Sequence, residues 1–299
     1  MTPTGLLLID KPEGPSSHDV IAVVRRELGL RRAGHTGTLD PFASGLLLVC
    51  VGWATRLVEY FHVLPKVYEA AILLGERRDT DDRTGVVVAR SDAWRSIDRD
   101  RFASALAEFD GVSEQRPPDY SARKVGGLRA YRAARAGAPL QLEPRTIAVS
   151  DMCLLSWDPP RARIALTVST GTYIRAIARD LGERLACHAH LEALRRIRIG
   201  TFDVCDASSG ADLAEAAAGI VTPLDAVSWL QRRELDPEEL ASVLVGRPIR
   251  VGAPSQPPRP VATLDTASLP TALHADGQLV AIGMADGEWL KPSKVFHAA

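Results

Sequence analysis

The sequence predicts a fold that mixes helices and strands, and three observations carry that expectation. Short apolar runs closed by turn residues, such as residues 5–10 ahead of Lys11 and Pro12, read as buried strands. Ile174, Ile177, Ala178 and Leu181 repeat at helical spacing and form one apolar stripe. Residues 146–157 and 162–169 flank Asp158-Pro159-Pro160 as two strands flank a turn, with Ile164, Leu166 and Val168 on one face. A chain of 299 residues, 46% hydrophobic and 24% charged, has the composition of one large or two modest globular domains.

After the first strand, Ser16 or Ser17 can cap a helix in which Val20, Ile21, Val23, Val24 and Leu28 recur near helical spacing, and Gly29 ends it. The segment Gly34-His35-Thr36-Gly37-Thr38-Leu39-Asp40-Pro41 follows. Gly34 and Gly37 permit backbone angles closed to other residues, and Pro41 biases Asp40 toward an extended conformation, so the carboxylate is held in a set direction. The same composition also suits an ordinary turn between apolar runs.

Residues 46–51 then read as a buried strand, 53–63 as a helix with an apolar face, and 66–74 as a strand that carries Tyr68. A charged loop, 77–85, precedes a strand at 86–89, and its aspartates Asp79, Asp81 and Asp82 have Arg77, Arg78, Arg83 and Arg90 close in sequence to neutralise them. Ligand spacing in that loop does not fit a calcium site. Residues 97–109 read as a helix starting near Ser96 or Asp98, 111–120 as a proline-containing loop, and 130–136 as a short basic helix. The helix that opens at Tyr173 places Arg175 in its first turn, where a cation opposes the helix dipole unless an anion lies nearby. Arg175 is therefore a candidate partner for Asp40 or for phosphate. A second unit is expected near Leu235-Asp236-Pro237, closed by a small β module over 283–296.

The net charge of −1 hides a mild tilt, because eight acidic and five basic residues follow Arg233. Arginine outnumbers lysine 31 to five, so basic sites are mostly bidentate, phosphate-suited guanidinium groups. Arg116, Arg123, Lys124, Arg129, Arg132 and Arg135 crowd one segment and Arg195, Arg196 and Arg198 another; both patterns also fit solvated faces. Cys50, Cys153, Cys187 and Cys205 are widely spaced, mostly in apolar surroundings, and read as reduced, buried thiols, and Cys187-His188-Ala189-His190 lacks the partner ligands of a zinc site. No metal is expected. With no apolar run long enough for a bilayer and no signal-peptide pattern at the start, the expectation is a cytoplasmic protein without membrane association.

Residues 5–12 (GLLLIDKP), Ser16-Ser17, residues 34–41 (GHTGTLDP), Tyr120-Ser121-Ala122 and residues 171–175 (GTYIR) resemble the tRNA pseudouridine-55 synthases of the TruB family, in order and at similar intervals. The segment 290–296 is similar to the PUA domain that follows the catalytic domain there. The resemblance implies an α+β catalytic domain over 1–233, built on a curved, mostly antiparallel sheet, with a basic RNA-binding insertion at about 112–140 and a short PUA-like domain over 234–299. It implies isomerisation of uridine 55 in the T-arm of tRNA to pseudouridine, with no cofactor, no protein partner and a monomeric enzyme.

The same resemblance assigns roles. Asp40 is the nucleophile, Tyr68 stacks on the extruded uracil, and Arg175 pairs with the catalytic aspartate and keeps it ionised. His35 fills the space left by the flipped base, Tyr173 and Leu194 line the substrate pocket, and Lys11 with Pro12 supports the active-site loop. Arg123 and Lys124, in the basic insertion, contact phosphate. Two other classes stay open from residues alone: a hydrolytic N-glycosidase, which would release uracil to water, and a tRNA chaperone that grips the T-arm without chemistry.

Overall fold

The computed structural model describes residues 3–121, 123–209, 213–256, 261 and 269–296. Contacts divide the chain into two compact units, one made of Met1–Asp40, Leu46–Leu64 and Ile199–Ala299, the other of Pro41–Gly45 and Pro65–Arg198. Both mix helices and strands, and most strand pairings are antiparallel, as the α+β expectation requires.

In the first unit, strand Gly5–Lys11 lies between Ser208–Ser209, which it pairs in parallel, and Ser44–Val51. Ala33–His35 pairs antiparallel to the end of Ser44–Val51. Side chains alternate along a strand, and here both faces are apolar: Leu46, Leu48 and Cys50 enter one cluster with Phe61 and Trp229, while Leu47, Val49 and Val51 enter another with Val20, Ile21 and Val24. The helix Ser17–Glu27 covers that second cluster. Ser16 caps it in a reciprocal box with Asp19, and Gly29, at φ +61°, ends it while Leu30 N donates to Arg25 O at 2.8 Å.

Residues Gly52–Val63 form a 3₁₀ helix, not the α-helix their apolar spacing suggests. Gly52 starts it at φ +63°, and the Thr55 hydroxyl donates to Gly52 O at 2.9 Å, competing for a carbonyl that an α-turn would use. The C-terminal β structure is larger than the sequence suggests. Five strands run in the order Gln231–Glu234, Thr271–Ala275, Gln278–Asp286, Trp289–Val295 and Ile249–Arg250, the first pair parallel and the others antiparallel. Helix Pro237–Leu244, capped by Asp236 and Glu239, packs Val243 against Leu273, Ala281 and Leu290. Phe296 stacks on Trp53 at 4.7 Å, and Arg56 donates to Val295 O at 2.8 Å.

In the second unit the strand order is Ala189–Ile199, Lys66–Leu74, Arg161–Val168, Arg145–Asp158, Gly111–Gln115. Lys66–Leu74 buries alternate residues, among them Tyr68, Ala70, Ile72 and Leu74. Arg145–Asp158 and Arg161–Val168 form the expected pair, with two register shifts in the longer strand and Asp151 at φ +54°. Residues 111–115, read from sequence as loop, pair with Arg145–Val149. At the far end of Ala189–Ile199, Arg195 and Arg196 pair in parallel with Ser44 and Gly45. Gly45 sits at φ +106°, and a Cβ there would lie 2.2 Å from Arg196 O, so only glycine admits this approach. Helix Ile174–Arg184 buries Ile174, Ile177, Ala178 and Leu181, the predicted stripe, together with Arg175. Among the described residues, no helix is long and apolar enough to cross a membrane.

Candidate functional site

The octapeptide 34–41 begins as a strand and ends as a clamped turn. Gly34 is extended and paired with Cys50, and an added Cβ would meet only the Val58 side chain at 3.9 Å. Its backbone does not demand glycine. Thr36 N then donates to Leu48 O at 3.0 Å, and Leu39 is held by one buried hydroxyl: Ser17 Oγ accepts from Leu39 N at 2.8 Å and donates to Leu39 O at 3.0 Å. Of the two serines that could cap the helix, Ser16 does so, and Ser17 is released for this tie. His35 and Asp40 are half-buried at the two ends of the segment. Lys11 is fully buried, and its ammonium donates to Pro12 O at 2.7 Å and Pro15 O at 3.0 Å, fixing the turn that leads into the Ser16 cap.

In the second unit the helix Ile174–Arg184 organises the charged loop. Arg175, 5% exposed, donates to Thr80 O at 3.0 Å and Tyr120 O at 3.1 Å, and its guanidinium lies 3.6 Å from Asp82 Oδ2. One turn later Arg179 pairs with Asp81 at 3.1 Å and Asp180 at 2.8 Å and donates to Arg116 O at 2.9 Å. Asp81 and Asp82 are thus met by arginines from a distant helix, Asp79 accepts from Tyr120 Oη and Val86 N, and the neighbouring Arg78 and Arg90 pair with Glu76. Asp82 also accepts from Thr84 N at 2.9 Å and Thr80 Oγ1 at 2.8 Å. Burial pushes the Asp81 carboxyl up to about 6, against the pull of Arg179, Arg175 and Arg77.

Tyr173 precedes that helix as its N-cap without a side-chain cap of its own. The buried amide of Gln115 replaces one: Tyr173 N donates to Gln115 Oε1 at 2.9 Å, and Gln115 Nε2 donates to Tyr173 O at 3.1 Å. The phenol of Tyr68 is buried and accepts from Arg196 Nη1 at 3.4 Å. Arg196 is 1% exposed, so only part of the Arg195–Arg198 cluster is a solvated face. Lys66, two residues before Tyr68 on the same strand face, donates to Thr170 Oγ1 at 2.5 Å. Burial, helped by the Arg196 charge, lowers its ammonium to about 8. Leu194 is buried on the neighbouring strand Ala189–Ile199.

In the basic segment, Gly126 and Gly127 turn a hairpin between Lys124–Val125 and Leu128–Arg129, both glycines at positive φ. Arg123 is half-buried, 3.4 Å from Glu143 O, and the side chain of Lys124 lies outside the described residues. The sequence reading holds Ser17 as a possible helix cap and Arg196 as one of a basic cluster, gives Gln115 and Arg179 no role, and pairs none of the four with the partner it has here. Among the described residues no group of three or more His, Cys, Asp or Glu side chains could hold a metal ion.

Residues 25–174 match the TruB family pseudouridylate synthase N-terminal domain, and residues 175–241 match the tRNA pseudouridylate synthase B C-terminal domain. The chain is 44% identical over 245 residues to the tRNA pseudouridine synthase B of Symbiobacterium thermophilum, covering 81% of this chain and 82% of that one. It is 39% identical over 299 residues to the protein of the same name from an Arthrobacter species, covering 98% and 96%. Among solved structures, a chain in the crystal structure of a Cbf5-Nop10-Gar1 complex is similar with a TM-score of 0.75 at 26% identity, over 98% of this chain and 85% of that one. A chain in the H/ACA RNP bound to a substrate RNA containing 2′-deoxyuridine shares the fold, with a TM-score of 0.74 at 24% identity over 99% and 86%.

Proposed function

The chain belongs to the TruB family of pseudouridylate synthases, and from that premise we propose that it converts uridine 55 in the T-arm of tRNA to pseudouridine with Asp40 as nucleophile. The observation that carries the reading is the unbroken family match over 25–241, which contains the Asp40 segment, Tyr68 and the Arg175 helix. The relatives' shared name, tRNA pseudouridine synthase B, supports tRNA as the substrate.

The reaction breaks the bond from ribose C1′ to uracil N1 and forms one from C1′ to C5; N1 gains a proton and C5 loses one, so mass is unchanged. A base inside a folded arm must leave its stack before a carboxylate can reach it, which asks for a rigid carboxylate and an aromatic surface. Asp40 supplies the first, in a turn whose preceding residue is tied at both backbone groups. Tyr68 supplies the second, and Arg175 the positive charge that favours an ionised carboxylate. Arg123 and Lys124 contact the phosphate backbone, and residues 234–299 extend the RNA surface.

The test is turnover on a T-arm stem-loop transcript, mapped by carbodiimide modification and primer extension. One mass-neutral conversion at uridine 55, lost in Asp40→Asn with RNA affinity retained, is the expected result. Free uracil would mean a glycosidase, binding without conversion a chaperone, and turnover by Asp40→Asn a different nucleophile.

A further inference from the structure

We propose that Ser17 is a positioning residue for Asp40, an inference that rests on the reading of Asp40 as nucleophile. The Leu39 N–H belongs to the peptide plane entering Leu39 and its C=O to the plane leading into Asp40. One hydroxyl, 22 residues away in sequence, grips both groups, at 2.8 and 3.0 Å. With both planes pinned, the Asp40 backbone is fixed from its N-terminal side, and the ring of Pro41 restricts it from the other.

The grip is itself anchored. Ser17 is 1% exposed in the first turn of its helix, and the turn that leads into this helix is tied by the buried Lys11 ammonium. The geometry needs a group that donates and accepts through a single atom in a space closed to water, which a hydroxyl does and a methyl does not. Leu39 is itself buried, so the two backbone groups cannot turn to solvent instead. Ser17 never has to touch substrate to act. It sets where the carboxylate stands, and a displacement of about 1 Å in a reacting group costs on the order of 100-fold in rate.

The experiment compares single-turnover rates and RNA affinities of full-length Ser17→Ala, Ser17→Cys and Ser16→Ala on the T-arm transcript. Ser17→Ala is expected to lower the chemical rate by about 10- to 100-fold, with the transcript bound within about twofold of the parent. Ser17→Cys, close in size but a weak donor and acceptor, is expected to fold and fall between the two, which keeps the test decisive if the alanine variant does not fold. Ser16→Ala removes the adjacent helix cap, so it should lower the unfolding midpoint and leave the rate unchanged. Unchanged rates in both Ser17 variants would overturn the proposal, as would an equal rate loss in Ser16→Ala or a loss confined to binding. If Asp40→Asn is inactive while the Ser17 variants keep full rate, only the Ser17 inference falls; if Asp40→Asn turns over, the nucleophile reading falls first.

Discussion

Replacing Gln115 by alanine removes a side chain that stands in for a helix cap from 58 residues away. The Tyr173 carbonyl survives the change, because Ala176 N at 3.1 Å and Ile177 N at 3.2 Å also donate to it. The Tyr173 N–H depends on the Gln115 oxygen at 2.9 Å, and leaving it without a partner in this half-buried site costs about 1–2 kcal/mol. Loss of the amide's own packing brings the expected total to about 2–4 kcal/mol, or a drop of about 5–15 °C in the thermal midpoint. Glutamate separates the two bonds. Gln115→Glu keeps an acceptor for the N–H, places negative charge at a helix N-terminus where it is favourable, and loses only the donor to a carbonyl already served twice. Thermal unfolding followed by circular dichroism should rank parent, Gln115→Glu and Gln115→Ala in that order. A shift below about 2 °C for alanine, or glutamate as damaging as alanine, would refute the assignment of the N–H as the critical partner.

Asp81 makes stability depend on pH. Burial raises its carboxyl from 3.8 to about 6, so its contribution is complete below about pH 4 and is lost as pH rises through about 6, on the order of 3 kcal/mol in all. Urea unfolding midpoints of Asp81→Asn should therefore change less than the parent's between pH 4 and 7, and parallel profiles would contradict the cause given. The four thiols are not all buried as their apolar neighbours suggest: Cys153 and Cys205 are exposed, whereas Cys50, pushed up to about 12 by burial, and Cys187 are buried. Iodoacetamide at pH 8 should add two labels to the native protein, Cys153 ahead of Cys205, whose thiol is held up by its hydrogen bond to Asp203; four labels would be incompatible with the fold.

Sequence pattern revealed what is local. The apolar run 46–51, the stripe of the Arg175 helix and the glycine that ends the first helix all follow from spacing within one element, and the structure holds them where the pattern puts them. Pairings across long separations left no such mark. Ser17 with Leu39, Gln115 with Tyr173 and Arg179 with Asp81 join residues 22, 58 and 98 positions apart, and nothing in their neighbours' periodicity announces a partner. Local charge balance told only part of the story: Arg77 does pull on Asp81, yet the ion pairs to Asp81 and Asp82 come from Arg179 and Arg175, far away in sequence. The 3₁₀ helix Gly52–Val63 shows the limit of hydrophobic spacing, which scarcely distinguishes 3.0 from 3.6 residues per turn over so short a stretch. The candidate roles of Asp40 and Tyr68 came from motif resemblance, since a lone aspartate in a glycine turn has no chemistry of its own to declare, whereas Arg175 was already a candidate anion partner from its place in the first turn of a helix.

The strand Ser44–Val51 is apolar on both sides, and this bears on how the chain finds its alignment during folding. Most half-buried strands resist slipping by one residue because a slip turns polar side chains inward. Here a slip would merely exchange Leu46, Leu48 and Cys50 for Leu47, Val49 and Val51, one oily set for another. Polarity cannot police that error. The task falls to shape, and above all to a missing atom: moved one place along, a leucine or serine would face the Arg196 main chain where Gly45 now stands, with no room for its Cβ. The start of this strand works as a steric key that accepts a single setting.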